Sequence, residues 1–178
     1  MATCLTDLLS RSWQLIGTVM ARRKKSNQEI AEENQRTNSM GLFLTAEAFA
    51  VSARALEANP IKHGFRLSPV HVLYFHAIEL YLKALLRQKY SVHDLENKFR
   101  HNVRRMTREA KKLGLKISKE DQHHVFNVMT KTDIVIRARY MRTGVMQIPP
   151  DGALDRACVN LHTNIGMLLR DAGLPIRM

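Results

Sequence analysis

Apolar residues recur at helical spacing along most of the chain, and no run alternates as a half-buried strand would. Leu5, Leu8, Leu9, Trp13, Ile16 and Met20 make an amphipathic stretch at the start. Arg22, Arg23, Lys24 and Lys25 follow it, where cations complement a helix C-terminus. The next run, Ser26 to Ser39, is rich in Asn, Gln and Glu and reads as a linker or a frayed helix, with a sharp change of composition at Gly41. From there the pattern predicts a helix over 42–58, with Phe43, Ala46, Ala50, Ala53 and Leu56 on one face and Asn59-Pro60 as its stop.

The next helix is apolar almost all round from Val70 to Leu86, the mark of a central, buried element. Ser68 reads as its N-cap and Pro69 as its first helical residue. Its polar exceptions, His76, Glu79, Lys83 and Arg87, fall on one stripe, with Glu79 and Lys83 in the favourable i,i+4 order. That stripe is either a self-paired edge of the core or the wall of a polar cleft. A helix over 102–113 follows, with Phe99, Val103, Met106, Ala110 and Leu113 as its packing seam and Gly114 as its stop. Arg104, Arg105, Arg108, Lys111 and Lys112 take its other positions. Ser118 and Asp121 open a further helix in a capping-box-like pair, carrying Phe126, Met129 and Ile136 towards Tyr140. The last helix covers 153–170, with Leu154, Cys158, Leu161, Ile165 and Leu168 inside. The fold class is therefore all-α, an up-and-down antiparallel bundle of four to five helices over 41–178 behind an N-terminal helical extension and linker over 1–40. The extension reads as a docking helix, an appendage outside the domain, or an organellar presequence.

Composition narrows the class. Two cysteines among 178 residues exclude a disulfide framework and a four-cysteine metal site. No apolar run is long enough for a membrane span and no secretory signal opens the chain, so a cytoplasmic protein without membrane contact is expected. The net charge of +12 is local: residues 98–143 alone carry +9. Because this stretch is helical, the charge is displayed on a folded surface, which suits an anionic partner such as RNA or a nucleotide.

Catalytic and cofactor motifs are missing. There is no Gly-rich phosphate loop, CxxC, HExxH or GxSxG, so no cofactor or metal is implied. Adjacent His123 and His124 point about 100° apart on a helix and are poorly placed to share a metal. The stretch Glu109–Leu115 fits a helix-turn-helix turn, but Glu120 and His123 occupy positions that should be apolar, which disfavours duplex reading.

The run from Ser68-Pro69-Val70 through His76-Ala77-Ile78-Glu79-Leu80-Tyr81-Leu82-Lys83 resembles the central helix of HEPN domains. Arg100-His101-Asn102-Val103 is similar to the segment that opens the next helix in many members, Gly114-Leu115 to their helix–loop junction, and Arg139-Tyr140 to the end of the following helix. The resemblance covers about 41–170. It implies a helical bundle, commonly a homodimer, that binds nucleotides or RNA, in some members beside a nucleotidyltransferase-like partner protein. Ligand contacts would come from His76, Glu79, Lys83, Arg87, His101, Arg137, Arg139 and Tyr140. Nuclease members carry an Arg followed at short spacing by a His. Arg66–His71, Arg87–His93 and Arg156–His162 fit that spacing, about as many as chance gives, and Arg156 with His162 comes closest in placement. Three readings result: a noncatalytic nucleotide- or RNA-binding module, a metal-independent ribonuclease of a toxin–antitoxin or defence system, and a protein-interaction subunit.

Overall fold

Start and stop signals written in single residues set most of the helix limits. The computed structural model describes residues 26–59, 68–131, 148–150 and 152–176. The chain divides into two compact units, Met1–Glu32 and Glu33–Met178. Helix α1 (Asn27–Arg36) opens on a capping box in which Ser26 N–H donates to Glu29 and Glu29 N–H donates to the Ser26 hydroxyl. The polar run is thus a capped helix, since Glu, Gln and Ala favour helix where no apolar face is required. Of the first unit only its residues 26–32 are described.

In the second unit, α2 (Ser39–Ala58) begins three residues before Leu42 because the Asn38 side chain accepts from Gly41 N–H at 2.7 Å. Its buried face is Phe43, Ala46, Ala50 and Ala53, small enough for close approach to α3 (Ser68–Leu86). Helix α3 is the hub. Tyr74, Phe75, Ala77, Ile78, Tyr81, Leu82, Ala84 and Leu86 each expose 1% or less, and α2, α5 and α7 all pack on it.

The sequence pattern predicts a loop for Arg87–His93, but the structure places His93 in a helix, α4, because Ser91 caps it. It is α-helical over Val92–Asp94 and π-helical over Leu95–Phe99, and it starts from a reciprocal Ser91–Asp94 capping box. Arg100, with φ 50°, then reverses the chain. Helix α5 (Val103–Lys112) starts where the Asn102 side chain accepts from Arg105 N–H and buries Val103, Met106, Thr107 and Ala110. It stops in a Schellman motif: Leu115 N–H donates to Ala110 C=O and Gly114 N–H to Lys111 C=O.

Helix α6 has three consecutive pieces: Lys119–Asp121, the π-helical Gln122–Phe126, and Asn127–Lys131. Ser118 caps it as its sequence suggests. Helix α7 (Ala153–Asp171) turns Leu154, Ala157, Cys158, Leu161, Ile165 and Leu169 inward. Leu169, not Leu168, is the last core residue of this helix, and Leu168 lies half-buried against Gly114. Arg54 of α2 meets Asp155 of α7, and seven residues back Glu47 meets His162 seven residues on, so these two helices run antiparallel. The fold is all-α, with no strand among the described residues. No described helix is long and apolar enough to cross a membrane.

Gly114 has φ +95°, and a Cβ there would lie 3.3 Å from Leu168 Cδ2. Gly114→Ala therefore combines left-handed strain with crowding at α7 and should cost about 1–2 kcal/mol in urea unfolding. Gly152→Ala, at φ +71° with nothing within 4 Å, should cost less.

Candidate functional site

The polar stripe on α3 resolves into two separate structural devices. Glu79 exposes only 1% of its surface, and an ionised carboxylate tolerates that only when paired. Its Oε1 accepts from Lys83 Nζ at 2.6 Å, and His101 Nδ1 lies 2.9 and 3.0 Å from its two oxygens. A carboxylate only accepts, so His101 Nδ1 carries the proton. Burial pushes the Glu79 carboxyl up, but the charges and hydrogen bonds of Lys83 and His101 outweigh it and hold the group below its ordinary value. His101 reaches Glu79 from the two-residue junction between Arg100 and α5.

Arg87 does different work. Its guanidinium donates to the carbonyls of Thr37, Asn34 and Tyr90 at 3.0, 2.9 and 3.2 Å. Asn34 Oδ1 in turn accepts from Val92 N–H at 2.8 Å, and Gln88 Nε2 donates to Ser39. These bonds hold residues 34–39 to the end of α3 and the start of α4. His76 packs edge-on against Phe49, with ring centroids 4.5 Å apart. Glu79, Lys83 and His101 therefore come together, while His76 and Arg87 sit elsewhere. Arg137, Arg139 and Tyr140 lie outside the described residues.

The chain does not bring Arg156 and His162 together. Six residues apart, they lie about 120° apart around α7. Arg156 Nε donates to Asp121 Oδ1 at 3.1 Å and its Nη1 lies 3.0 Å from Glu120. Asp121, 2% exposed, also accepts from Asn160 Nδ2 at 2.6 Å. The Asp121 carboxylate that reads as half of a capping box thus ties α6 to α7. His162 instead packs at 5.0 Å from the Phe43 ring, with Nε2 3.5 Å from Glu47. It borders a small pocket of about 210 Å³ with Val51, Tyr81 and Cys158, where burial pushes the Cys158 thiol far up and leaves it inert. Among the described residues no group of three His, Cys, Asp or Glu could hold a metal ion.

A larger groove, about 410 Å³, opens between α5 and α6. Its α5 wall carries Arg104, Thr107, Arg108, Lys111 and Lys112, and its α6 wall Gln122, Phe126, Asn127 and Thr130. Lys112 is paired with Glu109 and Lys111 donates to Gln122. Arg105, outside the groove, turns back to the Lys98 carbonyl and over the Phe99 ring. Arg104 has no ion pair or hydrogen bond among the described residues, and Arg108 reaches only 4.0 Å from Glu109 while 69% exposed. The local excess of basic charge is thus displayed beside a concavity. Thr107, which also lines it, is a polar residue on the otherwise apolar seam of Val103, Met106 and Ala110, and that interruption was visible in the sequence.

Glu79→Gln should destabilise the protein by about 1–3 kcal/mol at pH 7, because Lys83 and His101 lose their counter-charge. Because the folded carboxyl titrates below its ordinary value of 4.5, its stabilisation is complete above that pH and lost as pH falls through the lower folded value. Thermal melts from pH 7 to 3 should show a steeper acid-side decline for the wild type than for the variant. Compared with known proteins, the chain matches no family model, no curated protein and no solved structure.

Proposed function

We propose that this chain is a noncatalytic module that binds RNA or nucleotides through the basic face of α5, as a homodimer of the kind the HEPN resemblance implies. One observation carries the reading: Arg104 and Arg108 stand on the rim of a groove with their charge largely uncompensated, while Lys83, Arg87 and Arg156 are spent on internal partners. Guanidinium forks match phosphate oxygens and keep their charge at any physiological pH. The same geometry speaks against the ribonuclease reading within one chain, since Arg156 is held by two carboxylates and His162 faces another helix. For the dimer, exposed Leu44, Val51, Val159 and Met167 on antiparallel α2 and α7 offer apolar area, and Val51 and Val159 line one pocket.

Replacing Arg104 and Arg108 together with Ala should weaken binding of a single-stranded RNA at least tenfold at low salt. It should also lower the slope of log affinity against log salt by about 1.4, or ~0.7 per phosphate contact. Fluorescence anisotropy across a salt series reads both, and unchanged affinity would sink the reading. Light scattering of the wild type should give twice the monomer mass, and a Val51→Glu, Val159→Glu variant should give the monomer.

A further inference from the structure

The two walls of the α5–α6 groove differ in charge. Arg104, Arg108 and Lys111 stand on the α5 wall in a row about 10 Å long. A single phosphate does not span that length, so the row suits consecutive phosphates of a strand. The α6 wall, formed by Gln122, Phe126, Asn127 and Thr130, carries no charge. A duplex presents phosphates along both edges of each groove and would need cations on both walls. A single strand has its phosphates along one edge and its unpaired bases along the other.

Hydrogen bonding across the groove fixes what the α6 wall offers. Lysine only donates, so Lys111 Nζ, at 2.8 Å, must meet the oxygen of the Gln122 amide. Gln122 Nε2 is thereby turned to Asn127 Oδ1, which accepts from it at 2.9 Å. With its oxygen so engaged, Asn127 presents Nδ2 as a donor. This nitrogen has no hydrogen-bond partner among the described residues, and it is not sealed from solvent. Phe126 is 1% exposed and offers no face for stacking, so the wall supplies hydrogen bonding instead. The edges of unpaired bases carry carbonyl and ring-nitrogen acceptors that an amide donor can meet, whereas pairing in a duplex occupies their Watson–Crick edges.

We infer that the groove holds a single strand of RNA in one orientation, with its phosphates along Arg104, Arg108 and Lys111 and its bases towards α6, where Asn127 Nδ2 donates to a base edge. Asn127 is thus the residue that makes binding depend on unpaired bases. This inference rests on the proposed RNA-binding reading and deepens it from attraction to a backbone to recognition of single strands.

The test compares three ligands on the full chain by fluorescence anisotropy: an oligouridylate, an abasic ribose-phosphate strand of the same length, and the oligouridylate annealed to its complement. The wild type should bind the oligouridylate about fivefold more tightly than the abasic strand, the worth of one neutral hydrogen bond, and more tightly than the duplex. Asn127→Ala should bring the ratio of oligouridylate to abasic affinity to unity. It should keep the wild-type slope of log affinity against log salt, since the phosphate contacts lie on α5. Asn127→Asp keeps an oxygen for Gln122 and removes only the donor. Its added negative charge weakens both strands alike, so its ratio should also fall to unity. Equal wild-type affinity for the oligouridylate and the abasic strand overturns the inference, and so does a folded variant of either kind that keeps the wild-type ratio. A duplex bound as tightly as the single strand overturns it as well. The broader reading is judged separately: it survives any of these results if the ligands bind with a steep salt dependence, and it fails if none of them binds.

Discussion

A carboxylate buried in the middle of the most apolar helix is the constraint on which much of the rest depends. Glu79 sits on α3 among side chains packed to near-complete exclusion of water, and it stays ionised only because two cations or donors reach it. Lys83 comes from one turn on, at no topological cost. His101 must be delivered from elsewhere in the chain. That requirement ties the exit of α4 to α3: the π-helical turn ends at Phe99, Arg100 takes φ 50°, His101 lands on Glu79, and Asn102 caps α5 at once. Once α5 starts there, its seam of Val103, Met106 and Ala110 is set towards the core, and Arg104 and Arg108 are set outward.

A second buried carboxylate repeats the device at the other side of the groove. Asp121 binds Arg156 and Asn160 and so fixes α6 against α7. Two acidic residues thus position the two walls, one through α5 and one through α6. Their partners are candidate site residues of the sequence, Lys83 and His101 as ligand contacts and Arg156 as a catalytic group. Internal pairing consumes them, and the uncompensated charge is left on Arg104 and Arg108, whose surroundings hold fewer carboxylates.

Local signals were legible in the sequence. The caps at Ser118 and Gly114, the alanine face of α2, the central character of α3 and the seam of α5 all follow from spacing and residue type. Illegible were partnerships between residues far apart in the chain. Nothing near Arg87 announces the carbonyls of Asn34 and Thr37, and Asp121 beside Ser118 looks like half of a capping box, not like the partner of Arg156. The π-helical turns were illegible as well, because one extra residue rotates the following face by about 100° and breaks any α-periodic reading through 122–126. Charge density pointed to the stretch containing the groove but not to the groove itself, because a concavity between α5 and α6 depends on both helices being placed.

An NMR titration of the ¹⁵N-labelled full chain with a single-stranded RNA oligonucleotide is the most direct measurement. The groove between α5 and α6 predicts shifts concentrated at the amides of 103–112 and 118–130, with the Arg104 and Arg108 Nε signals moving first. Shifts confined to α2 and α7, around Val51 and Val159, or an unperturbed α5, would contradict it.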